Sequence, residues 1–74
     1  MQIEVRLFAT FRKGRFNRCV MDLAEGTSLR EVLVQIGIPA EEVSLPLVNG
    51  EFSPLDRKIV PGDVVSFFPA VGGG

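Results

Sequence analysis

The sequence predicts an α+β fold, a mixed sheet of four to five strands with one main helix packed on one face. Three observations carry this. Residues 2–8 alternate polar and apolar, the period of a strand with one buried face. A single stretch, residues 29–36, repeats its apolar side chains at helical spacing. Strand patterns resume after it, and a strand following a helix on the same sheet most simply returns parallel to an earlier strand by a right-handed crossover.

In the first strand Ile3, Val5 and Leu7 form the inward set, which leaves Gln2, Glu4, Arg6 and the aromatic Phe8 on the outer face. Residues 9–17 break the alternation around Gly14, and Arg18 to Leu23 restores it with Cys19, Met21 and Leu23 inward, so an N-terminal hairpin with a long basic loop is expected. That loop, Phe11-Arg12-Lys13-Gly14-Arg15-Phe16-Asn17-Arg18, holds four of the eight basic residues. Cations interleaved with aromatics resemble a nucleic-acid or phosphate contact, but such a cluster is more commonly a solvated hairpin tip. Docking to an acidic partner protein stands between these two readings.

Glu25-Gly26 signals a turn, and Ser28 and Glu31 then stand at capping-box spacing, with Thr27 as an alternative cap. Leu29, Val32, Leu33 and Ile36 form one stripe, while Arg30, Glu31 and Gln35 face water; Gly37 and Pro39 supply the stop. Residues 39–42 suit a brief helical turn, and Leu45 to Val48 reads as a strand that Pro46 places near an edge or a start. Asn49-Gly50 is a tight-turn dipeptide because both residues accept a positive φ, and a short strand at Glu51-Phe52 returns from it. Ile59 is the core anchor of an irregular stretch, and Pro61-Gly62-Asp63 forms a second turn. In the last strand Val65 and Phe67 point inward and Val64, Ser66 and Phe68 outward. If this strand lies beside the first, Phe8 and Phe68 share the outer face, and two phenylalanines there read as part of a partner-binding patch.

Composition narrows the chemistry. Seventy-four residues make one small domain with a single core. One cysteine and no histidine exclude an internal disulfide, a zinc site of Cys and His, and every Ser-His or Cys-His nucleophile arrangement. A formal net charge of -1 provides no global attraction to nucleic acid or to an anionic membrane, and no apolar run is long enough for a membrane span. Neither is expected as a partner, and the cytoplasm is the expected location.

The end of the chain, Phe67-Phe68-Pro69-Ala70-Val71-Gly72-Gly73-Gly74, is the stretch least suited to folding. Glycine loses the most backbone freedom on ordering and brings no side chain to bury. The domain is therefore expected to span residues 1–70, with residues 71–74 a flexible glycine tail. Such an arm, lacking Cβ atoms, suits a channel too narrow for other residues; a frayed terminus is the plainer explanation of terminal glycines.

Taken together, the hairpin, the capped helix, Val48-Asn49-Gly50, Gly62-Asp63-Val64-Val65 and Phe67-Phe68-Pro69-Ala70-Val71 running into Gly73-Gly74 resemble the ubiquitin-like β-grasp sulfur carriers. These are the small subunit of molybdopterin synthase and the sulfur carrier of thiamine biosynthesis, and the resemblance spans essentially the whole chain. It implies that Gly74 is the working group: a partner related to the ubiquitin-activating enzymes adenylates its carboxylate with MgATP, and a sulfur donor protein displaces AMP to leave a thiocarboxylate. A carboxylate is a poor electrophile until AMP becomes its leaving group. Side-chain catalysis would thus belong to partners, and the chain would itself bind no metal or cofactor and be no enzyme alone.

The resemblance further implies that Gly72 and Gly73 thread the partner's channel, and that Phe8 and Phe68, with Pro69 and Val71, dock on a synthase large subunit or equivalent sulfur acceptor. Cys19, inward on its strand, reads as core rather than sulfur donor. Gly72 stands where the molybdopterin branch usually has Ser, Thr or Ala, and a triple-glycine end after Val71 also occurs among thiamine-branch carriers. Phe67-Phe68-Pro69 and the long first loop favour the molybdopterin branch, or a relative serving a tungsten-containing pterin. Three readings remain open on the residues: a sulfur carrier, a ubiquitin-like modifier joined to proteins through Gly74, and a binding module whose tail is never activated.

Overall fold

A computed structural model of the chain describes residues 1–70. Five strands and one helix follow in order: β1 (Gln2–Leu7), β2 (Arg18–Asp22), α1 (Leu29–Ile36), β3 (Val43–Val48), β4 (Glu51–Phe52) and β5 (Val64–Pro69). They form a single mixed sheet in the order β2-β1-β5-β3-β4. β1 and β5 run parallel at its centre, paired Val5 to Val65 and Leu7 to Phe67, and the other neighbours are antiparallel. This is the expected return of the last strand to the first.

The period-2 pattern of the central strands decides which side the helix covers. Ile3, Val5, Leu7, Val65 and Phe67 are all 0% exposed, and they meet Leu29, Val32 and Leu33 of α1 in the core. Ile36, at the end of the stripe, is half-buried against this cluster. Ser28 is the cap of α1: its side chain accepts from the Glu31 N–H while the Glu31 carboxylate accepts from the Ser28 N–H, so two helix-end donors are satisfied at once. Thr27 instead donates its hydroxyl to the Ala24 carbonyl at 2.6 Å, tightening the preceding turn. Gly37 ends the helix at φ 79°, a left-handed conformation that a Cβ disfavours.

Two sequence motifs prove to be one structural clamp. Asn49 and Gly50 take φ of 53° and 84° in the β3–β4 turn, and the Asn49 side chain reaches across to the last turn. Its Nδ2 donates to Asp63 Oδ1 and its Oδ1 accepts from the Val64 N–H, both at 2.9 Å, while Asp63 Oδ2 accepts from the Val60 N–H at 3.0 Å. Asp63 is 5% exposed, so its charge is held by these donors. The two turns therefore fix the start of β5 against the end of β3.

The structure departs from the expected pattern at three places. The loop after β1 is not simply a solvated tip: Ala9–Arg12 forms a 3-10 turn that drops Phe11 into the core at 3% exposure, and Phe16 packs half-buried against it. β3 begins at Val43, two residues earlier than its pattern suggests, because a register shift between Val43 and Leu45 breaks the alternation. Ser66 points outward as expected yet is only 9% exposed, covered between its cross-strand neighbours Arg6 and Leu47. Pro46 is tolerated because its carbonyl, and hence its nitrogen, faces the short β4 side, where Ser53 N–H donates to it at 3.1 Å.

Candidate functional site

The side of the sheet away from α1 carries the outward residues of β1, β5 and β3. Phe8 leaves the end of β1, Phe68 sits near the end of the parallel neighbour β5, and their rings stack with centroids 4.0 Å apart and planes 7° from parallel. Leu45 is the cross-strand partner of Phe68, and Leu47 and Phe52 form the next pair on the same face. Leu45 is 39% and Phe52 68% exposed. The sheet thus brings together an apolar patch that helix packing leaves uncovered.

The stack is held from below by the first loop. Arg12 donates Nε–H to the Leu7 carbonyl at 2.6 Å and carries its guanidinium over the Phe8 ring, 4.9 Å from the centroid. Ala9, directly after Phe8, has φ 52°, a conformation costing about 1 kcal/mol for a residue with a Cβ. This strained residue turns the chain sharply out of β1 and into the 3-10 turn. Arg15 instead closes off the helix, where its guanidinium donates to the Ile36 and Gly37 carbonyls at 3.4 and 3.1 Å, at the C-terminal end that favours positive charge. Two of the four loop cations therefore serve the fold, and the loop's phenylalanines pack inward. The alternation of aromatics and cations is here an inside-outside pattern and not a stacking platform for bases.

Next to the stacked rings lies an apolar groove of about 350 Å³, lined by Ala9, Thr10, Ser44, Leu45, Phe68 and Pro69 and ending at Ala70. The groove thus opens where the described chain ends, at the root of residues 71–74. The expected docking residues Phe8, Phe68 and Pro69 meet at this corner; Val71 and the tail residues Gly72, Gly73 and Gly74 lie outside the described residues. Leu45 and Arg12 belong to the same corner and were not singled out from sequence. The signal for Leu45 was hidden by the β3 register shift, and that for Arg12 by the absence of any local pattern linking a loop cation to an aromatic four residues earlier.

The Arg12 guanidinium lies over Phe8, and the perturbed ionisable groups lie away from this corner. The two carboxylates held below their ordinary range are at the other face, by the start of α1: Glu31 through its hydrogen bonds from Ser28, and Asp56 through the Arg30 guanidinium, 2.9 Å away. Among the described residues there is no group of three or more His, Cys, Asp or Glu able to hold a metal ion, and no helix long and apolar enough to cross a membrane. Cys19 is half-buried on the inner side of β2, opposite Val5. The patch presents apolar surface to solvent, and the polar side chains lining its groove are those of Thr10 and Ser44.

Comparisons with known proteins bear on the family and the fold. The model of the ThiS family matches residues 5–74. Among solved structures, a putative molybdopterin converting factor subunit 1 from Pyrococcus furiosus is 28% identical, with a TM-score of 0.75 over 96% of this chain and 99% of that one. Subunit 1 and 2 of the molybdopterin-converting factor from Helicobacter pylori have been solved as a protein-protein complex; the match there is 25% identical, covers 100% of both chains and has a TM-score of 0.64. The small archaeal modifier protein 1 of Haloferax volcanii shares the fold at 21% identity, covering 95% of this chain and 98% of that one with a TM-score of 0.76. No curated protein sequence matches the chain.

Proposed function

Since the chain belongs to the ThiS family of ubiquitin-like β-grasp sulfur carriers, we propose that it carries sulfur as a thiocarboxylate on Gly74 and delivers it to a synthase partner in pterin-cofactor assembly. The observation that supports this is the Phe8–Phe68 stack beside an apolar groove that ends at Ala70, where residues 71–74 begin. A partner seated on that corner receives the next residues of the chain directly. The tail is four residues long, Val71 to Gly74, with a reach of about 13 Å when extended.

The steps follow from the chemistry of a carboxyl group. An adenylating enzyme of the ubiquitin-activating type joins the Gly74 carboxylate to the AMP part of MgATP, releasing pyrophosphate. Sulfide attacking the acyl carbon displaces AMP, which leaves with the bonding electrons, and gives the thiocarboxylate directly. A persulfide donor instead gives an acyl disulfide, whose S–S bond a partner's thiol then cleaves; the donor's sulfur leaves in a new disulfide with that thiol and the thiocarboxylate is released. The chain supplies the handle and the docking corner, and its partners supply the catalytic side chains and MgATP. The molybdopterin branch is favoured over the thiamine branch by Phe67-Phe68-Pro69 and by the similarity to molybdopterin converting factor subunit 1. The second reading, a modifier joined to proteins through Gly74, is favoured by the shared fold with the archaeal modifier.

Chain-dependent exchange of pyrophosphate into ATP by the host's adenylating enzyme tests the first step. Full-length chain should support exchange and chain ending at Gly73 should not. Equal exchange with both chains would contradict the role of Gly74. Isopeptide-linked conjugates without any thiocarboxylate would transfer the assignment to the modifier reading.

A further inference from the structure

The two edges of the sheet are treated differently by the sequence. At one edge β4 is only two residues long and its neighbour β3 carries Pro46, so little backbone is available for pairing. At the other, β2 runs for five residues, Arg18-Cys19-Val20-Met21-Asp22, without Pro or Gly. The Leu7 N–H donates to the Asn17 carbonyl and the Leu23 N–H to the Met1 carbonyl, so odd-numbered residues of this segment face β1. Arg18, Val20 and Asp22 consequently direct their backbone N–H and C=O groups away from the sheet. Their side chains stand on the outer face, and Val20 is 60% exposed.

This edge is complementary to itself. Laid antiparallel against a second copy with Val20 opposite Val20, Arg18 falls opposite Asp22 and Asp22 opposite Arg18. Each opposed pair is of the type that exchanges two backbone hydrogen bonds. The charges have reason to seek such partners. Within the chain Arg18 stands directly across from Arg6, a like charge, and makes no ion pair among the described residues. The Asp22 side chain is 85% exposed, with only a 3.5 Å contact to the terminal ammonium of Met1. Opposite charges across a strand pair stabilise it and like charges do the reverse.

We propose that the chain self-associates through β2, forming a two-fold symmetric dimer with one sheet continuous across both copies. The two-fold axis passes between the Val20 residues perpendicular to the sheet, an isologous contact that closes on itself. Both outer faces then lie on the same side and both helices on the other. The Phe8–Phe68 corners, formed at β1, β5 and β3, stay uncovered, and the two β5 strands end in opposite directions. Such a dimer presents both docking corners at once. A single strand pair buries less than the roughly 1,200 Å² of a standard stable interface, so the association is weak and reversible. It is independent of the chemistry proposed for Gly74.

Sedimentation equilibrium from about 10 μM to about 1 mM chain, under reductant to keep Cys19 free, reads the association across the range expected of a weak dimer. The wild-type chain should shift from monomer to dimer across this range. Arg18→Asp and Asp22→Arg each replace the opposed pairs by like charges and should each weaken dimerisation by roughly tenfold or more. Mixed together, the two variants restore Arg–Asp opposition and should form a heterodimer, a result that misfolding of either cannot imitate. Val20→Pro, which removes an outward N–H, should also yield monomer while keeping the β1–β2 ladder. A wild-type chain that stays monomeric at the highest concentration would overturn the proposal. So would variants that dimerise as wild type does, a mixture that fails to pair, or a dimer abolished by Phe68→Asp.

Discussion

Phe68 owes its position to period 2: it follows the fully buried Phe67 and precedes a proline, so its ring is the last outward side chain of β5 before the chain leaves the sheet. Its stack on Phe8 is worth about 0.5–1.5 kcal/mol beyond burial. Phe68→Asp should therefore lower stability only modestly, because the ring is outside the core, while weakening binding to the synthase large subunit by at least about tenfold, the typical effect of truncating an aromatic at the centre of an interface. Thermal unfolding and titration calorimetry on the same variant separate the two effects. An unfolded variant, or unchanged affinity, would contradict the docking role. For the tail, Gly73→Val should leave the thermal transition unchanged and abolish pyrophosphate exchange; normal exchange would refute a channel too narrow for a side chain.

At the scale of elements, the caps and turns were the most legible features and the register the least. Ser28, Glu31 and Gly37 announce the limits of α1 because a capping box and a left-handed glycine each solve a local hydrogen-bond problem with local residues. Ser28→Ala should cost about 1 kcal/mol in chemical denaturation. The pH dependence has a definite sign. Glu31 and Asp56 are held below their ordinary values by Ser28 and Arg30, so the stability they contribute is present above the unfolded carboxylate range and is lost as pH falls through the depressed folded values. Glu31→Gln should flatten the acid limb of a plot of melting temperature against pH, and an unaltered limb would show that the capping box carries no charge dependence. The Asn49–Asp63 clamp was legible only as two separate turn signals, because its bonds join residues fourteen positions apart. Asn49→Ala removes both side-chain bonds and leaves a Cβ residue at φ 53°, so about 2–3 kcal/mol should be lost, and Asn49→Gly should lose less. The start of β3 escaped because its bulge exposes both Ser44 and Leu45, which erases the alternation that marks a strand. Phe11 escaped because a 3-10 turn has no apolar period to read, and its neighbours Arg12 and Lys13 suggest a solvated loop.

The whole molecule divides its labour between the two faces of one sheet. The inner face and α1 make the core, and the outer face ends in the apolar corner beside the root of the tail. The parallel pairing of β1 with β5 joins these roles, since the same register that buries Leu7 against Phe67 sets Phe8 beside Phe68. The architecture and the meeting of Phe8 with Phe68 were accessible from sequence because they rest on alternation and on the order of motifs along the chain. The tight packing of Arg12 on Phe8 and the part of Leu45 in the groove were not, since both arise from contacts between elements. The proposed function stands or falls on conversion of Gly74 to a thiocarboxylate. Intact-mass measurement after incubation with the host's adenylating enzyme, MgATP and a sulfur donor reads that conversion itself, with chain ending at Gly73 as control. A mass gain matching replacement of one carboxylate oxygen by sulfur, confined to the full-length chain, is expected. No gain with an adenylating enzyme shown to be active, or an equal gain in the control, would contradict sulfur carriage by Gly74.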